Sequence, residues 1–191
     1  MGRPKNFEPD VVVAQAMETF WSKGYAGTSP ADLAEATGVG KGSLYHAFGS
    51  KRELFDKALD LYGRVGTEMT EAYLNEPGTA KERIRAYMVF LVDMDLSAPV
   101  RRGCLAANTA LELGGRDTEA TAKVGRITEQ SIRLFTERLR RGQREGDVDP
   151  ALDVEAQAKY LMSMVAGLRV MAKTHERDAL HGIIETALAG L

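Results

Sequence analysis

A short polar segment, residues 38–52, carries the side chains best suited to bind another molecule. If a helix begins at Lys41 and Leu44 marks its buried face, the helical rotation of about 100° per residue turns Phe48 to the same face. The opposite face then presents Gly42, Ser43, Tyr45 and His46. Serine and histidine bond to base edges or phosphates, tyrosine bonds to phosphates, and glycine lets the backbone approach a groove wall. The pattern indicates a helix that contacts DNA.

Positive charge is concentrated on the same segment. The 191-residue chain has 25 Lys and Arg against 27 Asp and Glu, which gives a net charge of −2. Residues 38–52 nevertheless contain Lys41, Lys51 and Arg52 and no acidic residue. Lys51 and Arg52 fall in the first turn of the next helix, where the helix dipole disfavours cations, so we expect this helix start to bind a phosphate. A local basic patch suffices for DNA on a weakly acidic protein.

Composition and spacing argue against other classes of protein. The single cysteine, Cys104, excludes an internal disulfide framework and a cysteine-rich zinc site. No apolar run approaches the roughly 18 residues of a membrane span, and no apolar segment follows the N-terminal basic residues, so we expect a cytoplasmic protein with no membrane partner. The three histidines, His46, His175 and His181, lack metal-ligand spacing, and no nucleophile is paired with a base. We predict no enzyme activity, metal or cofactor.

The spacing of apolar residues predicts an all-α fold. The predicted helices lie near residues 9–23, 30–36, 41–48, 51–74, 80–96, 100–113, 117–145, 154–173 and 177–188. Ser29 with Asp32, and Ser50 with Glu53, have the spacing of capping boxes at two helix starts. The two short helices at 30–36 and 41–48 outline a helix-turn-helix, whose second helix lies in the major groove of DNA.

The residues around this outline make it specific. Thr28-Ser29, Asp32-Leu33-Ala34, residues 38–51 and Leu54-Phe55 resemble the DNA-binding domain of the TetR family of transcriptional regulators. The resemblance implies an N-terminal three-helix helix-turn-helix domain, placed at 1–50, and a larger C-terminal helical domain for ligand binding and dimerisation, placed at 51–191. It also implies a dimeric protein, most often a repressor, that releases its DNA operator when a small molecule binds the second domain.

The resemblance also implies which residues lie at DNA. They are Thr28, Lys41, Gly42, Ser43, Tyr45, His46 and Lys51. Gly40 and Ala47 depart from the family pattern, because many relatives carry serine and a second histidine there. Weaker DNA contacts would follow unless Arg52 and the basic arm Gly2-Arg3-Pro4-Lys5 compensate, the arm by entering the minor groove. A disordered terminus is the alternative for the arm.

A single helix-turn-helix cannot select one site in a genome, so we expect a homodimer that faces a palindrome with recognition helices about 34–36 Å apart. Apolar stripes on the last two predicted helices supply the candidate interface. They comprise Tyr160, Leu161, Met164, Val165, Leu168, Met171, Leu180, Ile183, Ile184, Ala187, Leu188 and Leu191. Two such pairs would form a four-helix bundle, and an entirely internal core is the alternative.

The central helices are expected to enclose the effector, whose identity the sequence does not give. Its apolar candidates are Tyr87, Phe90, Met94, Leu105, Leu111, Phe135 and Met164, each equally suited to the core. Cys104, Asn108 and Glu112 recur every four residues on one helical stripe, near Arg101 and Arg102, which would favour a reactive thiolate. We predict redox or effector sensing by this stripe, and the Gly-Cys-Leu segment resembles TetR-type regulators that sense through such a cysteine. A plain buried cysteine is the alternative.

Two functions fit these patterns. The first is a repressor in which a ligand between the central helices shifts the helix that follows Ser50 and so changes the spacing of the two reading helices. The second is a helical small-molecule-binding protein without operator-specific DNA binding, to which the departures at Gly40 and Ala47 point.

Overall fold

The computed structural model describes residues 7–191, and every regular element in that range is an α-helix, which confirms the predicted all-α fold. The helices in this range are α1 (Pro9–Lys23), α2 (Pro30–Thr37), α3 (Lys41–Phe48), α4 (Lys51–Asn75), α5 (Ala80–Ser97), α6 (Leu105–Leu113), α7 (Thr118–Glu145), α8 (Val154–Met171) and α9 (Arg177–Ala187). None of them is long and apolar enough to cross a membrane.

Side-chain caps fix several of these helix starts. Ser29 and Asp32 form the predicted capping box of α2, because each side chain accepts the backbone N–H of the other. Ser50 accepts the N–H of Glu53 at the start of α4, but its own hydroxyl binds the Glu53 carboxylate, so the predicted second box is only half formed. The α2–α3 turn depends on Gly38, whose φ of 64° favours glycine.

The start of α6 lies later in the chain than the sequence pattern predicts. Residues 98–104 are irregular, and Cys104 is the N-cap of a helix that begins at Leu105. Gly103 has φ +66°, and a Cβ there would lie 2.6 Å from the carbonyl oxygen of Arg169. The backbone of this segment therefore approaches α8 closely at Gly103, where a side chain would clash.

Two apolar cores hold the helices together. The N-terminal core joins α1, α2, α3 and the first half of α4 around Phe20 and Phe55, and Leu105 of α6 packs into it. The larger core joins the second half of α4 to α5, α7, α8 and α9 around Met88 and Phe135. Helix α4 thus belongs to both cores, and the predicted boundary between residues 50 and 51 stays a prediction. The shared helix gives the chain a continuous connection between the two units.

Candidate nucleic-acid interface and ligand cavity

Helix α3 turns its apolar side inward. Leu44 is 1% exposed and Phe48 is 7% exposed, and both belong to the N-terminal core. Four residues of the opposite side are exposed, namely Lys41, Gly42, Ser43 and His46, and Tyr45 is half-buried beside them. The orientation of α3 is therefore the one that the helical rotation predicts, and DNA contact by these residues stays a prediction.

Gly42 has no role inside the described chain that requires glycine. A Cβ built at this position meets no atom within 4 Å. Glycine within a helix costs about 1 kcal/mol relative to alanine, and no close contact inside the described chain explains it at this position. Close approach of another molecule to the α3 backbone is one reason for a glycine here. Gly40, the N-cap of α3, supplies no side-chain hydrogen bond to the helix start, as expected for a position without the serine hydroxyl.

Thr28 does not lie on this surface. It is fully buried, and its hydroxyl donates a hydrogen bond of 2.6 Å to the carbonyl oxygen of Gly24. The prediction that Thr28 contacts DNA is therefore corrected, since its side chain stabilises the turn between α1 and α2. The sequence pattern, a threonine just before an N-cap serine, is the same whether the threonine contacts DNA or is buried in the turn.

The two cations at the start of α4 have different surroundings. The Lys51 ammonium lies 4.4 Å from the centroid of the Tyr25 ring, near the surface. The Arg52 guanidinium is bound by Asp117 at the start of α7 and by Asp56. This pairing raises the pKa of Arg52 and lowers the pKa of Asp117 to about 2. Arg52 is thus paired within the chain, and its contact with phosphate stays a prediction. The basic arm at residues 2–5 lies outside the described residues.

A cavity of about 650 Å³ opens between α6, α7 and α8. It is lined by Cys104, Ala106, Ala107, Ala110, Leu111, Val124, Thr128, Ile132, Lys159, Met162, Ser163, Ala166, Gly167, Val170 and Met171. Its volume is typical of a small-molecule site, and its wall is mainly apolar. Of the seven apolar candidates that the sequence suggested, Leu111 alone lines this cavity. Tyr87, Leu105 and Phe135 are buried in the cores instead.

The predicted stripe of three polar residues is divided between different neighbours. Cys104 lines the cavity, and its Sγ accepts hydrogen bonds from the Tyr62 hydroxyl at 3.2 Å and from the Ala107 N–H. Burial raises the pKa of Tyr62 well above its usual range, so this phenol remains a donor. Asn108 binds the carbonyl oxygen of Arg102 and does not line the cavity.

Glu112 lies outside the predicted sensing site and contacts the DNA-binding unit. Its carboxylate accepts the backbone N–H groups of Tyr25 at 2.9 Å and Ala26 at 2.5 Å, in the turn between α1 and α2. The two arginines near Cys104 are likewise engaged elsewhere, because Arg101 binds Glu176 and Arg102 binds Glu18. The prediction that Asn108 and Glu112 join Cys104 in one sensing site is corrected, since the sides of α6 meet different elements.

The apolar stripes on α8 and α9 are mostly internal. Seven of the twelve predicted residues are buried in the chain's own core, namely Leu161, Val165, Leu168, Leu180, Ile184, Ala187 and Leu188. The reason is that α9 packs against α5 as well as α8. Tyr160 remains 44% exposed, and Val170, which lines the cavity, is 43% exposed. These seven residues therefore fit the alternative of an internal core and not the predicted interface.

Within residues 7–191, no three His, Cys, Asp or Glu side chains lie close enough together to hold a metal ion.

This fold, with an outward α3 and a separate cavity-bearing helical unit, defines a class of helix-turn-helix regulators. The family model for bacterial regulatory proteins of the tetR family matches residues 12–58, and that for the Tetracyclin repressor-like C-terminal domain matches residues 80–188. The HTH-type transcriptional regulator YezE of Bacillus subtilis (strain 168) is 31% identical over 193 residues, which cover 100% of both chains. The HTH-type transcriptional repressor ComR of Escherichia coli (strain K12) is 31% identical over 90% of this chain and 82% of its own.

Solved structures agree with these matches. A cysteine mutant of the TetR family transcriptional regulator CifR, in complex with 26-bp double-strand operator DNA, is 36% identical, with a TM-score of 0.87 over 98% of each chain. The chain therefore belongs to the TetR family. It is a DNA-binding transcriptional regulator.

Proposed function

We propose that the chain is a repressor that binds a palindromic operator as a homodimer in the cytoplasm and is released by a small molecule. The observation that carries the proposal is the outward face of α3, where polar and small side chains are exposed on a firmly packed helix. The name of ComR and the operator complex of CifR support the same function by similarity.

Six residues are proposed to contact the operator. Ser43 and His46 face outward from α3 and would read base edges in the major groove, while Gly42 allows close approach. Lys41 and Lys51 supply cations for a guanine edge or for phosphates, and Tyr45 supplies a hydroxyl for phosphate. Phosphate contacts of this kind make affinity depend on salt and set the position of the helix on the duplex.

The experiment is a competition binding assay with the DNA that flanks the gene of this protein. We expect a dissociation constant of about 10⁻⁸ M or lower, which persists in excess nonspecific duplex, with two protomers per palindrome. Binding that disappears with the competitor would leave only a helical ligand-binding protein.

The proposed dimer interface lies on the exposed parts of α8 and α9. Tyr160 of α8 leaves a large aromatic side chain in solvent and does not line the cavity. Gly182 of α9 has open space at the Cβ position, although glycine weakens the helix. Close packing of a second copy would account for both features.

This interface is tested by placing a charge on it. Tyr160→Glu should convert the dimer to a monomer in size-exclusion chromatography with light scattering, because the carboxylate would be buried at the contact. Val65→Glu, at a similarly exposed apolar residue of α4, is the matched control and should leave a dimer. A dimer that survives the Tyr160 change argues for a different interface.

The proposed effector is an apolar small molecule that occupies the cavity between α6, α7 and α8, and Cys104 is proposed as its reactive contact. In a conjugate addition, the Cys104 sulfur would form a C–S bond to an electron-poor alkene while the thiol proton ends on the adjacent carbon. The new substituent would displace the Tyr62 hydroxyl from the sulfur. Because Tyr62 belongs to α4, the reaction would act on the helix that leaves the DNA-binding unit.

Cys104→Ser separates this proposal from a purely packed cysteine. With methyl vinyl ketone as the probe, wild-type protein should lose operator binding, while Cys104→Ser should bind operator normally and resist release. Equal release of both proteins would show that Cys104 is not the sensing group.

A further inference from the structure

Helix α6 touches the ligand cavity with its middle and the DNA-binding helices with both ends. Ala106, Ala107, Ala110 and Leu111 line the cavity. Just before the helix, the carbonyl oxygen of Gly103 accepts a 2.8 Å hydrogen bond from the Trp21 indole of α1. One turn or less separates each attachment from the cavity wall. A movement of α6 therefore reaches the DNA-binding unit directly.

The attachment at the far end of α6 is made by Glu112. Its two carboxylate oxygens accept one backbone N–H each, from Tyr25 and Ala26. Gly24 allows this approach, because its φ is +75° and a Cβ there would lie 2.9 Å from Glu112 Oε2. Hydrogen bonds to an ionised carboxylate are roughly twice as strong as those between neutral groups. The carboxylate thus holds the turn by its backbone, independently of the side chains in the turn.

This turn determines where the helix-turn-helix begins. Thr28, buried at the end of the turn, bonds back to Gly24, and Ser29 then caps α2. Helix α3 packs on α2 through the N-terminal core and cannot reorient alone. The direction of α3 therefore follows the position of the turn that Glu112 holds.

We propose that Glu112 is a positioning residue, which fixes the turn between α1 and α2 on the cavity-lining helix α6. It thereby sets the orientation of α3 when both protomers of the homodimer bind the operator. The proposal rests on the proposed repressor function. It assigns to Glu112 no contact with DNA or effector. Its effect appears only when two α3 helices must reach successive major grooves at a fixed spacing, because one helix alone can adjust to its own half-site.

The test compares two duplexes with the same protein. An operator is first selected from random DNA by the wild-type homodimer, and a half-site duplex is made by scrambling one arm of the palindrome. We expect Glu112→Ala to weaken binding to the full operator about tenfold and binding to the half-site less than about twofold. Glu112→Gln, which keeps one acceptor oxygen and loses the charge, should fall between wild type and Glu112→Ala.

Matched measurements keep a folding defect apart from a positioning defect. Glu68→Ala, at an exposed glutamate of α4, should bind both duplexes as wild type does. The fluorescence of Trp21, the only tryptophan, should stay unchanged in Glu112→Ala if the other end of α6 remains attached. Equal loss on both duplexes, or no loss on either, overturns the positioning role. Failure of the wild-type protein to select any duplex would instead refute the proposed function.

Discussion

On the outward face of α3, the side chains of Ser43 and His46 make no hydrogen bond to any residue in the described range, whereas the groups around Gly103 bind one another. The Gly103 carbonyl oxygen accepts bonds from Trp21 and Arg169, and Arg169 also forms a buried ion pair with Asp95. The internally bonded groups around Gly103, which we call the frame, hold the helices in place. Exposed polar groups without a hydrogen-bond partner are available to another molecule. Substitutions in the two regions should therefore affect different measurements.

The largest effect is expected from breaking the frame. Arg169→Met removes one partner of a buried pair and leaves the Asp95 carboxylate without its cation, which costs about 3–5 kcal/mol of unfolding free energy. Burial already raises the pKa of Asp95, so this carboxyl should then take up a proton more readily. Urea unfolding measures the loss, and Arg177→Met, at an exposed pair with Asp93, should change stability by less than about 1 kcal/mol. Similar losses in both variants would contradict the comparison.

The opposite result is expected on α3. His46→Ala should weaken binding to the selected operator by about 1–3 kcal/mol, because a base or phosphate contact is lost, and should leave the melting temperature unchanged. His175→Ala, at an exposed histidine far along the chain, is the control and should change neither quantity. A drop in melting temperature with His46→Ala would place this side chain in the frame and not on the DNA-facing surface.

Gly42 is informative because one substitution should change protein stability and operator affinity in opposite directions. Gly42→Ala should raise the unfolding free energy by up to about 1 kcal/mol, since alanine favours the helix and the space at Cβ is open. The same methyl group should weaken operator binding by obstructing approach to the groove. Gly125→Ala on α7, where the Cβ space is also open, should stabilise the protein with no effect on DNA. Unchanged DNA affinity in Gly42→Ala would remove glycine from the proposed contact surface.

The sequence predicts which side of α3 faces outward, but it does not predict which elements α6 and α9 contact. The face of α3 follows from Leu44 and Phe48 alone, because a short helix with one apolar side has a single way to pack. The prediction that Cys104, Asn108 and Glu112 form one site is wrong. Helical spacing places residues on one side of α6 but does not show which neighbouring element each of them contacts. The prediction that Leu180 and Ile184 lie in a dimer interface is wrong for a related reason. An apolar stripe has the same sequence pattern whether α5 or a second copy of the chain covers it. Arg52 had a visible signal in Asp56 four residues later, but its partner Asp117 is distant in sequence.

The smallest effect is expected where α4 meets α7, at the half-exposed pair of Arg52 and Asp117. The pKa of Asp117 is about 2 in the folded chain against an ordinary 3.8, so its charge favours the folded state above pH about 4 and this contribution is lost as the pH falls toward about 2. Asp117→Asn keeps an N-cap side chain and removes the charge. The melting temperature of the variant should lie slightly below that of wild type at neutral pH, and the two should converge at low pH. A constant difference across the titration would mean that the cap, and not the ion pair, accounts for the contribution of Asp117.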